Sequence, residues 1–327
     1  MRKDSRIFLA GHRGLAGSAL ARALAGAGYA NIVTRSHAEL DLTDQAAVRA
    51  FFAAEKPDHV VLAAARVGGI LANSTYPADF LRENLAIETN VIHEAWAAGV
   101  KRLLFLGSSC IYPRLCPQPM REEHLLTGPL EPTNRPYALA KIAGIEMCAA
   151  YNRQHGARFL AVMPTNLYGP GDSYDLSNSH VIPALIRKMH EAKVCGAARV
   201  VVWGSGAPRR EFLHSDDMAE ASVLLMSLPD DEYGRVLAQG DWPLVNVGCG
   251  EDMTIAEAAL LVAEVVGFPG ALVFDASRPD GTPVKRLDVS RLFATGWRPR
   301  VPLRQGLAGA YADFLARVAS GEAPTHG

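Results

Sequence analysis

The stretch Ile7-Phe8-Leu9-Ala10-Gly11-His12-Arg13-Gly14-Leu15-Ala16-Gly17 decides the fold. Residues 6–10 are a brief apolar run with β-branched and aromatic members, the pattern of a buried strand, and residues 15–27 carry apolar side chains at helical spacing. The glycines of the junction are spaced G-x-x-G-x-x-G. Glycine there permits a tight turn, lets the backbone approach a pyrophosphate and lets the helix pack closely on the sheet, while the helix N-terminus attracts the anion. A glycine pattern alone is weak evidence. A buried strand before it and an amphipathic helix after it make Gly11, Gly14, Leu15 and Gly17 a candidate dinucleotide-phosphate turn.

Further strands are predicted at 31–34, 59–65, 102–107 and 159–163, with helices at 44–55, 78–98 and 136–155 between them. Strand and helix alternating in this way mean an α/β fold with a doubly wound parallel sheet covered on both faces, whose ligands bind beyond the carboxyl ends of the strands. After Pro164 the rhythm changes. Residues 167–179 are rich in Gly, Pro, Asn, Asp and Ser and read as a long functional loop. Helices follow near 181–192, 216–227 and 255–266, and strands near 200–203 and 244–247. The expected division is a dinucleotide-binding domain at 1–165 and a smaller, mainly substrate-binding domain at 166–327, with some elements returning to the main sheet.

The composition narrows the function classes. The 327 residues suffice for about two domains, and 49% apolar with 20% charged residues is ordinary globular composition. Lys and Arg number 33 against 34 Asp and Glu, so a general basic field for nucleic acid is absent. The five cysteines are scattered, without a C-x-x-C pair, and read as reduced thiols. No apolar run approaches a signal-peptide core or a membrane span, and a cytoplasmic enzyme or small-molecule binder is expected.

An acidic residue about 20 positions past the glycines accepts the ribose hydroxyl in many NAD sites. Here the second strand ends Thr34-Arg35-Ser36-His37, without a carboxylate. Arg13 and Arg35 can instead embrace a 2′-phosphate, which favours NADPH over NADH, or remain solvated surface charges. Asp41 suits either a contact to the adenine edge or a cap with Thr43 or Asp44. Farther on, Tyr137-Ala138-Leu139-Ala140-Lys141 sets a phenol and an ammonium on one helix face. The lysine is expected to lower the phenol's pKa from about 10 toward neutrality. Tyr137 then exchanges a proton with a carbonyl or alcohol oxygen that Ser108, at the end of the fourth strand, can hold.

The glycine turn, Ser108 and the Tyr137/Lys141 pair resemble the extended short-chain dehydrogenase/reductase family. More narrowly, the strings Ser108-Ser109-Cys110-Ile111-Tyr112-Pro113, Glu131-Pro132-Thr133-Asn134, Pro164-Thr165-Asn166-Leu167-Tyr168-Gly169-Pro170, Ser177-Asn178-Ser179-His180-Val181-Ile182-Pro183 and Val202-Trp203-Gly204-Ser205-Gly206 resemble its GDP-L-fucose synthase branch. The resemblance implies a Rossmann-type fold, NADPH/NADP+ as cofactor, and epimerisation and reduction of GDP-4-keto-6-deoxy-D-mannose in one site. It also implies cofactor contacts at Lys141, Pro164, Asn166, Leu167 and His180. Asn166 by itself suits a sugar contact or its own turn equally well. Where some relatives carry a second basic residue near the 2′-phosphate, this chain has His37, so a weaker NADPH preference is expected.

A ketone at sugar C4 acidifies the hydrogens on C3 and C5, and inverting each centre needs a base on one face and an acid on the other. Within the resemblance Cys110 and His180 fill these roles, because thiol and imidazole reference pKa values of about 8.5 and 6.5 suit proton traffic near neutrality. Taken alone, Cys110 reads as a small buried residue and His180 as a helix cap. The resemblance also implies nucleotide contacts from Lys188, Trp203, Arg210 and Asp280, and a homodimer through the helices at 78–98 and 136–155. The rival enzymatic reading is a sugar-nucleotide 4-epimerase with tightly held NAD+, which needs no Cys/His acid–base pair.

Overall fold

A computed structural model of the chain describes residues 1–176, 179–278 and 280–321. Ser177 and Asn178 of the strings above, and Pro279 and residues 322–327 of the expected second domain, lie outside the described residues.

Among the described residues the central sheet has six parallel strands, in the order Leu244–Val247, Phe159–Pro164, Arg102–Leu106, His59–Leu62, Ile7–Ala10, Ile32–Val33. From Ile7–Ala10 the chain first builds outward to Ile32–Val33 and then crosses back to add His59–Leu62 on the other side. That reversal is a topological switch point, and it opens a crevice at the carboxyl ends of Ile7–Ala10 and His59–Leu62. Gly11 stands in the crevice.

Residues alternate between the two faces of the sheet. Phe8 packs with Phe51, Phe52, Phe105 and Ile145 on one face, and Ile7 and Leu9 pack with Leu20, Leu104 and Met218 on the other. Each such fully buried side chain contributes about 1.5–3 kcal/mol. Helices Gln45–Glu55, Pro77–Ala97 and Arg135–His155 cover the first face, and Leu15–Gly26 and Ser215–Ser227 the second. Four strands run shorter than their apolar patterns: the first starts at Ile7, the second covers only Ile32–Val33, the third stops at Leu62 and the fourth at Leu106.

The later part of the chain contributes to both regions. Leu244–Val247 joins the main sheet beside Phe159–Pro164. Helices Val181–Val194, Ile255–Val266 and Leu303–Ser320 enclose a separate core of Ile182, Met189, Val200, Val262, Phe268 and Phe314 beside the parallel pair Arg199–Trp203 and Ala271–Asp275. The loop expected at 167–179 begins as a short strand, Asn166–Tyr168, that pairs with Phe212–His214 and ties the two regions together. Among the described residues no helix is long and apolar enough to cross a membrane.

Candidate active site

One cavity of about 1120 Å³ runs from the glycine turn, past the ends of the fourth and fifth strands, to the second region. Its wall includes Gly11, Arg13, Gly14, Leu15, Gly17, Arg35 and Asp41; then Ser108, Cys110, Tyr137, Lys141, Pro164, Asn166, Leu167 and His180; and then Lys188, Trp203, Arg210 and Asp280. The tertiary fold thus gathers onto one surface all the residues singled out from sequence.

The turn is a cradle made of backbone. Gly11 has φ +89°, and a Cβ there would lie 2.6 Å from the Ala64 nitrogen. At Gly17 a Cβ would lie 1.9 Å from the Gly11 carbonyl oxygen. Helix Leu15–Gly26 starts at Gly14 with no side-chain cap and no acidic residue in its first turn. In contrast, Asp44 caps Gln45–Glu55 by accepting from the Ala46 and Ala47 N–H groups at 2.8 and 3.1 Å. The uncapped, anion-attracting end and the missing side chains fit a dinucleotide pyrophosphate.

The two arginines beyond the turn differ. Arg13 is exposed on the cavity wall and, among the described residues, takes part in no hydrogen bond or ion pair. Arg35 is ion-paired with Glu55 and donates to the Thr34 carbonyl at 2.8 Å, so part of its charge is already compensated. Asp41 accepts from Thr43 N and Oγ1 at 2.9 and 2.8 Å, which is the turn-capping arrangement, with His37 Nδ1 3.9 Å away.

At the end of Arg102–Leu106 the chain makes a 3₁₀ turn, Ser109–Ile111, in which the Cys110 N–H donates to Ser108 Oγ at 3.4 Å. Cys110 is buried; burial pushes its thiol pKa up, while Lys285 and Ser108 oppose the shift. Ser108 and Tyr137 line the same stretch of the cavity wall. Across the cavity, His180 starts helix Val181–Val194 but makes no side-chain capping bond. Its ring is open to the cavity and otherwise walled in by protein, so lost hydration, with Lys285 adding, holds its pKa below the ordinary histidine value.

The expected action of Lys141 on Tyr137 requires correction. Lys141 Nζ is buried, donates to the Leu106 carbonyl at 3.0 Å and lies 3.0 Å from Glu88 Oε1. Burial pushes the Tyr137 phenol well above its ordinary pKa, Cys110 and Glu88 add to that, and only the hydrogen bond from Ser108 opposes it. A carboxylate from another helix neutralises the cation that spacing alone assigned to the phenol.

In the second region Trp203 is 52% exposed, so it is available as a flat surface, with Lys188 Nζ and Arg278 at 4.8 and 5.0 Å from its ring centroid. Arg210 lines the cavity, whereas Arg209 turns away to Asp252 at 3.2 Å. The Asp280 carboxylate accepts from Ser205 N and Oγ at 2.7 and 2.8 Å, closing that rim. Asn166 Nδ2 donates to the Glu211 carbonyl at 2.9 Å rather than within its own turn.

Sequence reasoning missed Glu88, Lys285 and Glu211. Glu88 occupies a buried helical stripe with Asn84, Val91, Ile92 and Ala95, and an acid at such a position was the available signal. Lys285 carries no motif; strand pairing with Arg210 brings it to the cavity wall near Cys110. Glu211 is fully buried and accepts from Gly250 N and Leu287 N, both at 2.8 Å, tying three loops behind the site.

Comparison with known proteins agrees with this geometry. The NAD dependent epimerase/dehydratase family model matches residues 7–238. The chain is 57% identical to the probable GDP-L-fucose synthase 1 of Oryza sativa subsp. japonica, over 97% of this chain and 94% of that one. It is 56% identical to the GDP-L-fucose synthase of Escherichia coli (strain K12), over 95% and 96%. A solved GDP-L-fucose synthetase from Naegleria fowleri bound to NADP superposes with a TM-score of 0.86 at 25% identity, covering 98% of this chain and 97% of that one. The chain belongs to the NAD dependent epimerase/dehydratase family and, within it, to the GDP-L-fucose synthases.

Proposed function

We propose that the protein converts GDP-4-keto-6-deoxy-D-mannose to GDP-L-fucose by inverting C3 and C5 and then reducing the C4 ketone with NADPH. The observation that carries this reading is the single cavity in which the phosphate turn, the Ser108/Tyr137/Lys141 group and the Cys110 and His180 side chains converge.

Bound NADPH supplies the hydride. The chain's own residues do the rest. Gly11 to Gly17 hold the pyrophosphate, and Arg13, with Arg35 in support, meets the 2′-phosphate. Pro164, Asn166 and Leu167 line the cofactor side, and Asp41 stiffens the adenine end through its turn. Trp203, Lys188, Arg210 and Asp280 hold the sugar nucleotide.

At the sugar, Ser108 and Tyr137 donate hydrogen bonds to the C4 oxygen and stabilise the enolate that forms when C3 or C5 loses its proton. Cys110 as a thiol and His180 as a neutral imidazole hold one transferable proton between them. One of the pair takes while the other gives, which is what inversion requires. In the reductive step Tyr137 gives its proton to the C4 oxygen. A phenol kept protonated at neutral pH suits that direction.

The protein is further proposed to work in the cytoplasm as a homodimer through the outer faces of Pro77–Ala97 and Arg135–His155. Supporting this, Trp96 and Tyr151 remain only partly buried there. Segment 1–165 is proposed as the cofactor domain and 166–327 as mainly the substrate domain. The decisive experiment mixes the protein, the keto sugar and NADPH in deuterated water. Deuterium at both C3 and C5 of a GDP-fucose product supports the reading, and a reduced product without deuterium indicates a plain reductase.

A further inference from the structure

Behind the catalytic wall lies a buried charge that the chemistry above does not use. Glu88 and Lys141 are 1% and 2% exposed at their side chains, with Oε1 and Nζ 3.0 Å apart. Neither Glu88 oxygen takes a regular hydrogen bond from any described residue, so the Lys141 charge is its one close compensation. Burial pushes the carboxyl up to about 6, with Lys141 opposing. Lys141 is held on its other sides by the Leu106 carbonyl and by the Phe105 ring, 4.6 Å from Nζ to the centroid, while the Tyr137 ring lies at 5.8 Å.

The packing leaves room for this arrangement at a specific position. A Cβ at Gly144, one turn beyond Lys141, would lie 2.5 Å from the Phe105 ring and 3.0 Å from Glu88 Oε2. The absence of a side chain there lets the carboxylate and the ring both reach the ammonium. An acid buried among apolar residues is costly unless its partner is well placed. Its placement beside Lys141 calls for a role.

We propose that Glu88 is a positioning residue for reduction, which holds Lys141 in place behind Tyr137 and keeps the Tyr137 phenol protonated at the pH of catalysis. The inference rests on the epimerase-reductase reading. A nearby negative charge raises the pH at which a phenol loses its proton. The charged or titratable groups facing Tyr137 and Lys141 are Glu88 from Pro77–Ala97, Cys148 beside Glu88 on Arg135–His155, Cys110 from the 3₁₀ turn, and Lys285, which reaches them only through Cys110. Of these, Glu88 alone is an ordinary anion in contact with the ammonium.

The test compares the parent with Glu88→Gln, which removes the charge at nearly constant shape, and Glu88→Asp, which keeps it. Carbon-13 NMR of cofactor-free protein, labelled at tyrosine Cζ and assigned with Tyr137→Phe, follows the proton loss of the phenol. In Glu88→Gln the phenol proton should leave at least about 1 pH unit lower than in the parent, and in Glu88→Asp the shift should be smaller. The alkaline limb of kcat for reduction should move by the same amount, with KM for NADPH changed less than about threefold, a split that mere loosening of the fold would not produce. Coincident titrations in parent and Glu88→Gln would overturn the proposal, as would equal shifts in Gln and Asp. A parent that titrates as expected but never oxidises NADPH with the keto sugar would defeat the functional reading and leave the Glu88 result intact.

Discussion

The glycine turn at 11–17 and the wall formed by Ser108, Tyr137 and Lys141 face the same cavity, yet they are built in opposite ways. In the turn, the proposed contacts come from backbone N–H groups and from side chains that are missing, and its parts lie within a few residues of one another. On the wall, the proposed chemistry rests on side chains that groups from other elements surround, Glu88 on one side and Cys110 on the other. Local sequence therefore suffices to describe the first. The second can be described only once the helices have packed.

The largest effect should come from the wall. Tyr137→Phe removes the proton donor, and reduction measured as NADPH oxidation is expected to fall by about 10²–10⁴-fold while deuterium exchange at C3 and C5 stays measurable. An unchanged reductase rate would refute that role.

Gly17→Ala strikes the turn. Its Cβ has nowhere to go beside the Gly11 carbonyl, so NADPH affinity, read by fluorescence titration, should drop by at least about 100-fold, or about 2.7 kcal/mol. Affinity within a few-fold of the parent would mean that the turn is not a close-fitting cradle.

Cys110→Ser then separates the two activities. Deuterium incorporation should fall by about 10²-fold with some reduction of the keto sugar retained, and epimerisation at the parent rate would sink the acid–base assignment.

A smaller effect sharpens the turn itself. Arg13→Ala should cost about tenfold in the preference for NADPH over NADH, and Arg35→Ala only about threefold, because Glu55 already shares the Arg35 charge. Equal losses, or a clear NADH preference in the parent, would contradict this division.

The smallest expected effect on activity is at the amino end of a central strand of the same sheet, away from the cavity. Burial holds His59 down to about 4, and its Nδ1 has no hydrogen-bond partner. Its folded pKa lies below the unfolded value, so between pH 6.5 and 4 the unfolded chain binds a proton that the native one does not, and stability falls as pH falls. Thermal unfolding should show up to about 2 kcal/mol of this loss, absent in His59→Leu, with turnover unaffected in both.

Much of the site was legible before folding was considered, and for identifiable reasons. Gly11 and Gly17 announce themselves because only glycine tolerates such close backbone contacts. Ser108, Tyr137 and Lys141 stand at spacings that secondary structure carries to one place. The pairing of Arg35 with Glu55 and of Asn166 with the Glu211 carbonyl left no trace in local sequence, since each partner lies 20 or more positions away. Glu88 left a faint one, an acid in an apolar stripe. Lys285 left none.

By itself the sequence determined the alternation of strand and helix and the phosphate turn, which follow from periodicity and from backbone sterics and are local properties. The groups proposed to handle protons came from the family resemblance of its motifs. Only the tertiary structure decided which charges face one another in the dry interior. Lys141 is ion-paired with Glu88 instead of Tyr137, and Arg35 with Glu55 while Arg13 has no ion pair among the described residues, because Coulomb energy at close range depends on who is adjacent in space.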